Sequence, residues 1–125
     1  MGPSSRSPHD RLFAEVFSRA REARALLRAA LPAPVTAVMD MRTLRLVRGR
    51  GIDATFREWR PDLLYTVTRR DRSPVLVYVL FEHKSTLARL LPLQLLVYVT
   101  RVLERWAREN PGRPLPWVVP VVVYH

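Results

Sequence analysis

The residues best suited to chemistry stand together at the end of an apolar run, where Glu82, His83 and Lys84 close the segment PVLVYVLFEHK. Lys84 is the only lysine among 21 basic residues. In an extended strand successive side chains alternate faces, so Glu82 and Lys84 share one face and His83 takes the other. A second acid, Asp62, begins the segment DLLYTVTR. If the two segments form a hairpin turning through residues 71 to 73, opposed positions sum to 144. Asp62 then lies directly across from Glu82, with β-carbons about 5 Å apart.

Two adjacent carboxylates repel unless a cation compensates them, and a hard divalent ion such as Mg2+, or Mn2+, held by oxygen ligands is the economical partner. Such an ion polarises a phosphodiester and helps generate hydroxide, while Lys84 positions the attacking water and offsets developing charge. The chemistry would be hydrolysis of a nucleic-acid backbone. The competing reading makes Asp62 a strand-start cap and Glu82 with Lys84 an ordinary surface ion pair, which contributes little energy.

Secondary candidates surround this set. Glu58, four residues before Asp62, is either a further acid near the metal or solvated, the solvated reading being favoured, and the backbone carbonyl of His83 suits a metal better than its ring, which points away from the carboxylates. Gln94 and Tyr98 share a helix face one turn apart, with Arg101 and Arg105 continuing nearby. This stripe either meets phosphates or is solvated, and the solvated reading is favoured. Trp59, flanked by Arg57 and Arg60, is the aromatic best placed to touch DNA. Other chemistries fall away. There is no cysteine, no HExxH pair among the three histidines, no GxSxG elbow, and Gly49-Arg50-Gly51 lacks the GK[ST] ending of a phosphate loop.

The elements that must position these residues form one domain at a length of 125 residues. Residues 1–8 read as a mobile tail, and Asp10 as the N-cap of an amphipathic helix running to about Leu31, stopped by Pro32 and Pro34. Its core positions are Leu12, Phe13, Val16, Phe17, Ala20, Leu27 and Leu31. Strands follow over Thr43 to Arg48, Asp62 to Arg69 and Pro74 to Lys84, the last apolar on both faces and therefore central. A second helix starts near Pro92 and ends before Asn110, with Leu95, Val99, Val102, Leu103 and Trp106 inward. Trp117 to His125 is a last strand, in which Pro120 indicates an edge or an irregular position. The class is α/β, in the order α-β-β-β-α-β.

The net charge of +10 suits an anionic partner, a nucleic-acid backbone or a membrane surface, and charge alone leaves both open. Membrane insertion is not expected, because the longest apolar helix segment is interrupted by Gln94 and Arg101. The cytoplasm is the expected compartment.

Pro61-Asp62 followed by Glu82-His83-Lys84 resembles the PD-(D/E)XK motif of restriction-endonuclease-like nucleases. More specifically, SPHDRLFAEVF at 7–17, RPDLLY at 60–65, FEHKST at 81–86 and PVVVYH at 120–125 resemble the bacterial recombination-promoting nuclease and transposase-like family. The resemblance covers nearly the whole chain. It implies a restriction-endonuclease-like core, a mixed β-sheet flanked by helices, over residues 9–125. It also implies Asp62 and Glu82 as metal ligands and Lys84 as the catalytic lysine, although many relatives carry glutamine at that position. Members of the family are longer, so the chain is expected to be an N-terminal nuclease core or a truncated copy. The expectation is a Mg2+-dependent DNA endonuclease linked to recombination or transposition. Its rivals are a catalytically inactive DNA-binding remnant and a small protein that assembles through its final strand. That strand's unpaired edge also suits a homodimer.

Overall fold

The computed structural model describes residues 12, 15–47, 62–82 and 89–124. Residues 15–17 are helical, but the backbone then breaks at Ser18 and Arg19, so the continuous helix expected from Asp10 to Leu31 is interrupted. The Ser18 hydroxyl donates to the Glu15 carbonyl at 2.6 Å, and Arg19 takes up an extended backbone as N-cap of α1, Ala20–Ala30. A serine able to satisfy its own turn competes with helix propagation. Ala23, Leu27 and Leu31 are buried as the helical spacing requires, whereas Leu12 and Ala20 are exposed.

Pro32 ends α1 and also begins a short helix the sequence had not suggested, α2 at Ala33–Ala37, with Pro34 in its first turn. There the missing N–H of proline costs nothing. Strand β1 then runs Met39–Leu46, starting four residues before the expected Thr43. Its alternation is masked by an irregularity between Asp40 and Arg45. Thr43 occupies that irregularity, its hydroxyl donating to the Asp40 carbonyl at 2.7 Å and accepting the Thr68 N–H at 2.9 Å.

Strands β2 (Asp62–Arg69) and β3 (Pro74–Glu82) pair antiparallel as a hairpin. Helix α3 (Leu91–Glu109) crosses to β4 (Trp117–Tyr124), which lies parallel to β3. The sheet order β1-β2-β3-β4 puts β3 inside and β4 at an edge, both as expected. The described order, α-α-β-β-β-α-β, differs from the expected one by the short α2.

Alternate residues of β3 feed two cores. Val75, Val77, Val79 and Phe81 pack with Ala23 and Leu27 of α1, Phe81 stacking on Phe17 with centroids 5.8 Å apart. Leu76, Tyr78 and Leu80 pack with Leu91, Tyr98 and Val102 of α3. The result is a mixed α/β architecture, a four-stranded mixed sheet with a helix on each face, which is the covering that a strand apolar on both sides demands.

Candidate active site

The hairpin register decides which acids meet. Asp62 pairs with Leu80, and Thr68 with Pro74, so opposed positions sum to 142 and not 144. The turn is as long as expected but centred one residue earlier, at Asp71. Arg69 N–H bonds the Ser73 carbonyl at 2.8 Å, and Arg72 closes the loop in the left-handed region at φ 70°. A three-residue loop ending in that conformation is a standard hairpin closure. Asp71 holds it by accepting from Ser73 N–H at 2.9 Å and Ser73 Oγ at 2.5 Å. Those bonds keep the Asp71 carboxyl below its usual range.

Asp62 is therefore not directly across from Glu82 but diagonal to it, at a backbone separation of about 7 to 8 Å. A two-residue shift preserves the face, so positions 62, 80 and 82 still belong to the same side of the sheet. That side is the one covered by α3, as Leu64 and Leu80 show by packing in its core.

Glu82 ends the central strand and is the one buried charged residue among the described residues, 7% exposed. Its neighbour across the parallel register is Tyr124 of β4, a pairing the sequence had not suggested. Strand pairing through a long crossover leaves no local signal from which to read it.

Helix α3 supplies the wall. Its C-terminal residues Arg105, Trp106 and Asn110 line a cavity with Pro74 and Leu76 at the start of β3, so its N-terminal turns lie toward the Glu82 end. Tyr98 is 2% exposed and stacks on Tyr78 with centroids 5.5 Å apart. Gln94, one turn closer to the N-terminus, is half-buried, and its Oε1 is buried with no hydrogen-bond partner among the described residues. The solvated reading of this pair is thus overturned, because both face inward. Leu95, Val102 and Trp106 join the same core as expected, with Leu91 in addition.

Of the proposed DNA contacts, Arg101 is exposed, while Arg105 is partly buried and its Nε donates to Glu109 Oε1 at 2.8 Å. Glu58, Arg57, Trp59, Arg60, His83 and Lys84 lie outside the described residues. Among the described residues no three acids or histidines cluster as a metal site, and no helix is long and apolar enough to cross a membrane.

Comparisons with known proteins converge. The family described as "Putative transposase, YhgA-like" matches residues 7–125. The chain is 35% identical over 121 residues to recombination-promoting nuclease RpnA of Escherichia coli K12, covering 97% of this chain and 41% of that protein. It is 29% identical over 119 residues to recombination-promoting nuclease RpnD of E. coli O157:H7, covering 95% and 45%. A third relative, at 30% identity over 119 residues and 95% and 39% coverage, is the inactive recombination-promoting nuclease-like protein RpnE of E. coli K12. The chain thus spans less than half the length of these relatives. No solved structure matches.

Proposed function

This chain belongs to the YhgA-like transposase family, and from that premise we propose that it is a metal-dependent nuclease cutting DNA phosphodiester bonds in recombination or transposition. The observation that carries the reading is Glu82, a carboxylate buried at the carboxyl end of the central strand. A carboxylate is rarely buried without a charge to meet. The mixed sheet with a helix on each face supports a restriction-endonuclease-like core.

The donor chemistry on this side of the sheet fits a hard cation. Glu82 offers carboxylate oxygens, and Gln94 offers a buried amide oxygen with no partner among the described residues. Asp62 and Glu82 would hold Mg2+ or Mn2+, with the His83 carbonyl and the secondary candidates Gln94 and Glu58 completing or supporting the shell. When bound, such an ion supplies Lewis-acid polarisation of the phosphodiester. The chain's own residues do the rest. Lys84 would orient the attacking water and balance charge on the phosphorane-like transition state, and burial of Glu82 at the end of the central strand would limit the access of bulk water. Arg57, Trp59, Arg60, Arg101 and Arg105 would grip the duplex backbone, in keeping with a net charge of +10.

The second reading, a DNA-binding protein without catalysis, is favoured by the relative named as inactive. Plasmid nicking separates the two. Supercoiled DNA incubated with Mg2+ or with EDTA should be nicked only with metal, and Asp62→Ala, Glu82→Ala or Lys84→Ala should abolish nicking while leaving DNA binding intact. Folded, DNA-binding wild type that never nicks would overturn catalysis in favour of the second reading.

A further inference from the structure

A second charged concavity lies away from this site. A cleft of about 640 Å³ opens between α1, α2 and β1, and Arg28, Thr36, Asp40, Arg42 and Arg70 line it over a floor that includes Met39 and Met41. Three guanidinium groups face one acid. Asp40 is already engaged, since Arg42 grips both its oxygens, Nε at 3.0 Å and Nη2 at 3.2 Å. Arg70 is anchored by donating its Nε to the Ala37 carbonyl at 3.0 Å. Arg28 and Arg42 are exposed at the rim.

The cleft therefore keeps two positive charges beyond the internal ion pair. Low-dielectric walls of alanine and methionine concentrate that field, and guanidinium forks match phosphate oxygens. Its location separates it from Glu82. Asp40 pairs with Thr68, which pairs with Pro74 at the start of β3, eight residues from Glu82. That is about 26 Å of strand. Met39 and Met41 also belong to the α1 core, while Glu82 belongs to the α3 side. A phosphate held here is not the one undergoing hydrolysis.

We propose that the Arg28–Arg42–Arg70 cleft is a phosphate-binding site, holding a phosphodiester of the nucleic acid at a distance from the point of scission. The nucleic-acid source rests on the nuclease-family reading, while the phosphate chemistry does not. Binding measured in EDTA tests it apart from cleavage. Duplex affinity is followed by fluorescence anisotropy against salt for wild type, Arg28→Gln and Asp40→Asn, with calorimetric titration of pyrophosphate alongside.

Arg28→Gln should weaken duplex binding several-fold and lower the slope of log affinity against log salt by about 0.9, one phosphate contact. Asp40→Asn, which frees Arg42, should strengthen binding, a gain that no folding defect produces. Pyrophosphate that binds and is displaced by duplex identifies the nucleic acid as the source. Pyrophosphate that binds the wild type, is lost in Arg28→Gln and is indifferent to duplex identifies a free phosphate compound, and overturns the nucleic-acid assignment. Unchanged duplex affinity and slope in both variants, with no pyrophosphate binding, overturns the site altogether.

Discussion

At the scale of single residues, the two polar groups that matter most are the ones burial should disfavour. The Glu82 carboxyl is buried at the end of β3, and Gln94 hides an amide oxygen without a partner among the described residues. Leaving such an acceptor unsatisfied costs about 1 to 3 kcal/mol. Gln94→Leu should therefore raise stability by about 1 kcal/mol in urea unfolding while weakening Mg2+-dependent cleavage; a variant neither stabilised nor impaired would remove Gln94 from the site. Glu82→Gln keeps the volume and removes the charge, and should cost about 100-fold or more in nicking rate with an unchanged circular dichroism spectrum. Tyr65 is a different case. Its hydroxyl donates to the Phe17 carbonyl, and burial pushes the phenol well above its ordinary pKa of 10.0. The folded-state value is raised, so this contribution is whole below pH 10 and declines as pH rises through the folded pKa. Tyr65→Phe should cost about 1 kcal/mol at neutral pH and should flatten the alkaline decline of stability by about one proton, 1.4 kcal/mol per pH unit.

At the scale of elements, β3 carries the molecule, because it packs on both faces and pairs on both edges. Phe81 lies in it beside Glu82, 2% exposed and stacked on Phe17. Phe81→Ala should lower the free energy of unfolding by about 3 to 5 kcal/mol, measured by denaturant titration. A loss under 1 kcal/mol would mean that the end of β3 is not packed as described. The hairpin turn also belongs to this scale. Its register follows from Asp71, Arg72 and Ser73, and moving that turn by one residue moves Asp62 by two positions relative to Glu82.

At the scale of the whole molecule, a charge of +10 dominates encounters with any polyanion. Duplex binding in EDTA should weaken by about a thousandfold or more between 50 and 200 mM salt if six or more phosphates are contacted. Anisotropy titrations at the two concentrations check this, and affinity indifferent to salt would argue that the charge serves another purpose. Asp40 adds a pH signature to the same measurement. Arg42 beside it holds its carboxyl below the usual carboxylate range, so it stays ionised at neutral pH and neutralises part of the cleft. Protonation at acid pH should then strengthen phosphate binding, and Asp40→Asn should abolish that acid gain.

By itself the sequence determined the class, most elements and the chemical candidates, because those depend on local pattern. An unbroken apolar run from Val75 to Phe81 demands cover on both faces, Pro92 and Asn110 bracket α3, and Glu82 with Lys84 shares a face in any extended strand. Only the tertiary structure decided what depends on residues far apart meeting. The turn geometry put Asp62 across from Leu80, a bulge at Thr43 hid the start of β1, and Ser18 broke the first helix. Packing turned Gln94 and Tyr98 inward, because a helix stripe reads as solvated until the sheet it covers is in place. The parallel register of β4, which sets Tyr124 beside Glu82, comes from a crossover through α3 and has no local code.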